Sequence, residues 1–148
     1  MRVLVQRSLN SSVSVDSKTL GSIRNGLVLF VGFTYGDSLD EINYLVKKIV
    51  NLRIFDDENG VMNKSLLDVN GSALSISQFT LYADCKKGNR PSYINALKSD
   101  EAIKLYDLFN KKLAQYVDVR TGVFGADMIV NINNSGPVTI LLEKEKIK

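Results

Sequence analysis

The sequence predicts one α/β domain over residues 1–148: a curved, barrel-like sheet, mostly antiparallel or mixed, with two long helices on one side of it. Three observations carry this reading. About eight short segments either alternate apolar and polar residues or run continuously apolar, as strands do. Two longer segments repeat their apolar residues at helical period, with acids at the start and lysines near the end. Asn-Gly and similar turn signals separate neighbouring strand segments closely, which favours hairpins.

Taken in order, Arg2–Arg7 alternates, with Val3 and Val5 opposing Arg2, Leu4 and Gln6, and reads as the first strand. Ser12–Val15 alternates again, and a turn at Asp16–Lys18 leads to a third strand near Leu20–Ile23. Asn25-Gly26 predicts a hairpin into Leu27–Phe33, whose unbroken apolar run fits a strand buried on both faces. Gly36-Asp37-Ser38 stops it. Ser38 and Glu41 have capping-box spacing, and Leu39, Ile42, Val46, Ile49 and Val50 form a helical stripe. Asp56–Gly60 is a polar turn whose acids lack the alternating ligand pattern of a calcium loop. Val61–Val69 leads through Asn70-Gly71 to a strand that begins half-buried, with Leu74 and Ile76 on one face and Ala73 and Ser75 on the other. Ser99-Asp100-Glu101 opens a second helix with the stripe Ala102, Leu105, Tyr106, Phe109, Leu113 and Tyr116. Val117–Phe124, Met128–Ile132 and Val138–Leu142 read as strands, and the tail Lys144–Lys148 is expected to fray.

Composition bounds the function. Apolar content of 45% and charged content of 24% are those of a globular protein, and no run approaches the roughly 18 apolar residues of a membrane span. No membrane partner is expected. The start, Met1–Arg7, is too short and too alternating for a signal peptide, and the lone Cys85 excludes an internal disulfide, so a cytoplasmic location is expected. A net charge of +3 permits contact with a polyanion without demanding it. The absence of histidine excludes Ser-His and Cys-His catalytic pairs within the chain and removes the commonest zinc ligand. Neither a metal nor a cofactor is expected. Acid–base work falls to carboxylates, lysines, backbone groups or the substrate.

Ser75–Asp84 is the stretch that points to chemistry. Gln78 and Thr80 fall on the face that Leu74 and Ile76 make apolar, while Phe79 and Leu81 fall on the small, polar face. A strand that changes faces must end, twist or bulge there. Such a break can free backbone N–H groups to receive an oxyanion, although a plain strand end with satisfied side chains has the same pattern. Beyond it, Cys85–Pro91 carries Lys86, Lys87 and Arg90 with Gly88 and Pro91: a basic loop, either merely solvated or facing phosphates. Gly136-Pro137 separates two strong strand runs, where proline is unwelcome. The pair is either a connecting turn or a cis peptide whose consecutive carbonyls point to one side.

Ser77-Gln78-Phe79-Thr80-Leu81 and Asn134-Ser135-Gly136-Pro137-Val138-Thr139 together resemble the two signature motifs of D-aminoacyl-tRNA deacylases. Met1–Arg7, Asn51–Phe55, Ser65–Val69, Lys87–Pro91 and Thr121–Gly125 are also similar to the bacterial form, so the likeness runs through nearly the whole chain. The resemblance implies that family's fold. It also implies a homodimer that hydrolyses the ester between a D-amino acid and the 3′-terminal adenosine of tRNA, and glycyl-tRNA besides. It implies that Gly136 and Pro137 form a cis bond inserted into the partner's pocket, where their carbonyls hold the α-amino group and leave no room for an L side chain. Arg7 neighbours that motif. The Phe79 and Thr80 N–H groups are candidates for the oxyanion site, and Ser77 and Gln78 for orienting the adenosine. Phe124 and Met128 are either pocket lining or core.

The missing histidine fits this reading, because in the family the ribose 2′-hydroxyl is held to assist the attack. Thr80 as a covalent nucleophile is the competing mechanism, and it needs a base within hydrogen-bond reach. Two other functions remain open on the sequence: an editing esterase of the same fold with another aminoacyl specificity, and an RNA-binding module without turnover.

Overall fold

The computed structural model describes residues 1–146 and arranges ten strands and two helices among them in three layers. In chain order these are β1 (Arg2–Ser8), β2 (Ser11–Val15), β3 (Lys18–Ile23), β4 (Gly26–Gly32), α1 (Leu39–Asn51), β5 (Phe55–Asp56), β6 (Met62–Lys64), β7 (Ser72–Ser77), α2 (Ser99–Leu113), β8 (Val119–Thr121), β9 (Ile129–Asn131) and β10 (Asn134–Glu143). A five-stranded sheet of order β10-β1-β4-β7-β8 lies between the helices and a three-stranded sheet of order β3-β2-β9. β5 and β6 form a small hairpin.

β4 shows why the layers form. Leu27, Leu29 and Val31 pack in one cluster with Ile42, Leu45 and Ile49 of α1 and Phe109 and Leu113 of α2. Val28 packs on the opposite side with Leu74 and Ile76 of β7 and with Val13 and Ile23 of the smaller sheet. Alternate residues of one strand thus build two cores, which is what an unbroken apolar run permits.

Several expectations are corrected. The expected barrel-like sheet is open, with β10 and β8 at the edges of the larger sheet. Asn25-Gly26 is not a hairpin, since β3 pairs with β2 and β4 with β1, and the chain crosses there from one sheet to the other. Gly26, at φ +151°, is needed for that crossing, because a Cβ would lie 1.8 Å from the Ser72 carbonyl oxygen. β7 is buried on both faces rather than half-buried, because it runs parallel between β4 and β8. The strand expected over 117–124 is only Val119–Thr121, and Tyr116 lies beyond α2 and is exposed. Leu39 is likewise exposed at the first turn of α1. Lys144 does not fray: its N–H donates to the Met1 carbonyl at 2.9 Å and its own carbonyl accepts from the Met1 ammonium at 2.9 Å. Glu145 Oε1 lies 3.6 Å from Arg2 Nη2, and residues 147 and 148 of the expected tail lie outside the described residues.

Two local devices hold the sheet's ends in place. The Met1 ammonium is buried 2.8 Å from Asp37 Oδ1, and Asp37 Oδ2 accepts the Thr34 N–H at 2.7 Å. This ties the start of β1 to the loop between β4 and α1. Removing one partner of such a buried pair costs about 3–5 kcal/mol, because the other charge is left uncompensated. The second device is in β10. Gln6 pairs with Thr139 and Ser8 with Asn134, so Ser135–Val138 bulge out opposite Arg7 alone.

Candidate active site

β7 ends at Ser77, whose backbone is still in register with Val31. Gln78 donates its N–H to the Val31 carbonyl at 2.7 Å, and Phe79–Tyr82 then coil into one 3₁₀ turn. The change of face read from the sequence is therefore a strand end followed by a helical turn. Leu81 N–H reaches the Gln78 carbonyl at 3.3 Å and Ala83 N–H reaches that of Thr80 at 3.0 Å. The N–H groups of Phe79 and Thr80 stand at the start of the turn, where helical geometry supplies no acceptor, and neither has a partner among the described residues.

The turn is fixed from two sides. It lies against Gly32, where a Cβ would sit 2.8 Å from the Gln78 carbonyl oxygen, so only glycine admits it. Arg2 donates Nη1–H to the Leu81 carbonyl at 2.8 Å, and its guanidinium lies 4.4 Å from the centre of the Tyr82 ring. Burial pushes the Tyr82 phenol well above its ordinary value, and Asp37 adds to the shift.

Beside the turn opens a cleft of about 570 Å³. Ser77, Gln78 and Phe79 line it together with Phe124 and Met128, so five of the residues singled out by sequence meet in one place. Its floor includes Val31, Ile76 and Val130, and the lining is mainly apolar. Phe79 remains 54% exposed, and its ring meets that of Tyr93 edge to face at 5.1 Å. Phe124 rests on Tyr106 at 5.8 Å, and Tyr106 donates its phenolic hydrogen to the Ser75 carbonyl at 2.8 Å beneath the cleft. Burial raises the Tyr106 phenol above its ordinary value, partly offset by the Ser75 hydroxyl, which donates to the phenolic oxygen, and by the Asn110 side chain.

Thr80 does not line the cleft. Its hydroxyl accepts a hydrogen bond from Gln78 Nε2, and among the described residues no base reaches it. Also among the described residues, no group of three or more Cys, Asp or Glu side chains is arranged to hold a metal ion.

Arg7, Gly136 and Pro137 lie elsewhere. The Gly136-Pro137 peptide is cis and sits in the β10 bulge. Asn134 closes the neck of that bulge, donating through Nδ2 to the carbonyls of Arg7 and Val138, each at 3.0 Å. Arg7 donates Nε–H to the Ser135 carbonyl at 3.2 Å and Nη1–H to that of Ile54 at 2.9 Å, with Asp56 at 3.3 Å. Gly136, at φ +119°, has no room for a Cβ, which would lie 2.9 Å from Arg7 Nη2. Through the pairings, Ser77 is level with Val31, Val3 and Leu142, whereas the bulge is level with Arg7, Leu27 and Ala73. Three strand spacings and four residues separate the two places, about 14 Å across the sheet and about 13 Å along it. One chain does not bring them together.

Sequence reasoning missed Arg2, Tyr93, Ala96–Leu97 and Gly125–Asp127. Tyr93 had a signal, an aromatic just after the basic loop. Arg2 had none, since alternation alone places it on a solvent face.

The family described as D-Tyr-tRNA(Tyr) deacylase matches residues 4–143. The chain is 54% identical over 147 residues to a D-aminoacyl-tRNA deacylase of Clostridium novyi (strain NT), covering 99% of both chains. It is 55% identical over 148 residues to one of Clostridium tetani (strain Massachusetts / E88), again over 99% of each. Among solved structures it is similar to the c-Myc DNA Unwinding Element Binding Protein, with TM-score 0.94 and 37% identity over 99% of this chain and 100% of that one. A probable eukaryotic D-amino acid tRNA deacylase shares the fold at TM-score 0.82 and 17% identity, over 95% of this chain and 97% of that one.

Both buried phenols make stability fall at high pH. A folded pKa raised above the unfolded value, near 10, gives stability that is complete below about pH 10 and lost as pH rises through the folded value. Tyr106→Phe should cost about 1–2 kcal/mol at pH 7, through the Ser75 carbonyl left without its donor. It should also make the alkaline loss shallower by up to about 1.4 kcal/mol per pH unit. Urea unfolding between pH 7 and 11 measures both.

Proposed function

Because the chain belongs to the D-Tyr-tRNA(Tyr) deacylase family and is a hydrolase of D-aminoacyl-tRNA, we propose that the cleft beside Ser77–Thr80 takes the aminoacylated 3′-terminal adenosine and hydrolyses its ester. The products are a free D-amino acid and tRNA, and the role is chiral proofreading of translation in the cytoplasm. The observation that carries this reading is the pair of unpartnered N–H groups, on Phe79 and Thr80, at the start of a fixed turn at the edge of an apolar cleft.

Water adds to the ester carbonyl carbon, and the carbonyl oxygen becomes an oxyanion held by those two N–H groups. The C–O bond to the ribose then breaks and the 3′-oxygen takes up the proton that the water gives up. Among the described residues no base reaches Thr80, and the neighbouring ribose 2′-hydroxyl assists the attack. Ser77 and Gln78 orient the adenosine, and Phe124 and Met128 wall the amino acid. The reaction uses no cofactor.

Selection comes from a second copy of the chain. The bulge is too far from its own cleft, so Gly136 and Pro137 enter the cleft of the partner in a homodimer. There their carbonyls hold the α-amino group and exclude an L side chain. Arg7 and Asn134 keep the bulge in shape. An apolar pair at the sheet's edge supports the dimer: Leu141 is 48% exposed on edge strand β10, opposite the half-buried Leu4 of β1. Glycine offers no side chain to exclude, so glycyl-tRNA is a substrate too.

Parallel hydrolysis of D-tyrosyl-tRNA and L-tyrosyl-tRNA by the purified protein tests this reading. Expected is cleavage of the D ester alone. Cleavage of both would remove the Gly136-Pro137 filter and favour an editing esterase of other specificity. Binding of tRNA with no cleavage would leave an RNA-binding module. Thr80→Ala separates the mechanisms. With only its backbone at work, kcat should stay within about tenfold of wild type, whereas loss of a nucleophile, or of an oxyanion donor, costs about 10²–10³ or more.

A further inference from the structure

The strongest feature outside the cleft is the loop that follows the 3₁₀ turn. Asp84 and Ser92 pair through two backbone hydrogen bonds of 2.8 Å, closing Cys85–Pro91 into one excursion. Asp84 Oδ1 accepts the Lys86 N–H at 3.0 Å, so the only acid at its base is engaged within the loop. Gly88, at φ +63°, makes the tip turn in open space, and Pro91 stiffens the return. Lys86, Lys87 and Arg90 are exposed, and none forms an ion pair among the described residues. Three of the chain's 19 cations thus stand unpaired within five residues, in a chain of net charge only +3.

The position of this charge matters more than its amount. One residue past the closing pair, Tyr93 lines the cleft and packs its ring against Phe79. The loop is therefore anchored at the cleft's rim through a residue that itself lines the cleft. A polynucleotide that enters the cleft past Tyr93 carries the phosphates preceding its last base across that rim. Unpaired lysines and arginine there gain from phosphates by releasing condensed counterions, and the planar guanidinium of Arg90 can receive a phosphate through two hydrogen bonds.

We infer that the loop Cys85–Pro91 docks the phosphates of the tRNA acceptor end through Lys86, Lys87 and Arg90, supplying affinity for the polynucleotide without taking part in the ester chemistry. The inference rests on the proposed placement of the terminal adenosine in the cleft.

The test compares wild type with K86A/K87A/R90A on two substrates, D-tyrosyl-tRNA and the minimal ester 3′-O-(D-tyrosyl)adenosine. At low salt kcat/KM on the tRNA should fall about tenfold or more, and the slope of log affinity against log salt should flatten by about 2 to 3, as for three lost phosphate contacts. On the minimal ester the variant should match wild type. The charge-conserving K86R/K87R should retain the wild-type salt slope. Unchanged kcat/KM on tRNA overturns the inference. So does an equal loss on both substrates, which would mean that the loop shapes the cleft. If wild type cleaves neither ester, the cleft reading is what fails. Anisotropy with uncharged tRNA still decides the loop's role without turnover: equal affinity and equal salt slope in wild type and triple variant overturn it.

Discussion

The hydrogen bond from Gln78 N–H to the Val31 carbonyl, 2.7 Å long, is where the sheet stops and the site begins. Up to that point every β7 residue is in parallel register with β4. One residue later the chain coils, and the first N–H groups of the coil have no partner among the described residues. Everything nearby preserves that break. Gly32 gives the turn room to lie on β4, Arg2 holds its carbonyl end, and the buried Met1–Asp37 pair fixes the strand from which Arg2 reaches. Without these, the turn would relax and its donors would turn to water or to other acceptors of the chain, since a backbone N–H left without an acceptor carries a cost. A preorganised pair of donors is worth most where water is displaced, as in an apolar cleft.

The far edge of the same sheet carries the complementary device. β10 keeps register with β1 except at one place, and there four residues leave the ladder opposite Arg7. Asn134 and Arg7 between them hold the Ser135, Val138 and Arg7 carbonyls around the bulge, so its shape is set by three hydrogen bonds rather than by a flexible loop. Separation on the sheet divides the labour. The donors that would stabilise the reaction belong to one edge region and the carbonyls that would select the substrate to the other, which in the proposed reaction makes the second copy of the chain part of the site.

Much of this was legible in the sequence because it rests on local patterns. The apolar run Leu27–Phe33 gave a strand buried on both faces, the two helical stripes gave α1 and α2, and the face change after Ile76 gave the break that frees the Phe79 and Thr80 N–H groups. What the sequence hid depends on long-range pairing. Asn25-Gly26 has the chemistry of a hairpin, yet it crosses between sheets because β1 captures β4. Pro137 has the chemistry of a strand breaker, yet it sits inside β10 because a bulge carries it out of the ladder. Val117–Phe124 lost most of its strand because the segment after Thr121 turns away to line the cleft. Arg2 alternates like any solvent-facing residue, and only the fold brings Leu81 and Tyr82 within its reach.

The most direct measurement is a crystal structure with a non-hydrolysable D-aminoacyl-adenosine analogue bound. The expected result is an analogue whose carbonyl oxygen meets the Phe79 and Thr80 N–H groups of one copy, while its α-amino group meets the Gly136 carbonyl of a second. An analogue seated in the cleft with Gly136 and Pro137 of both copies remote from it would contradict the shared site.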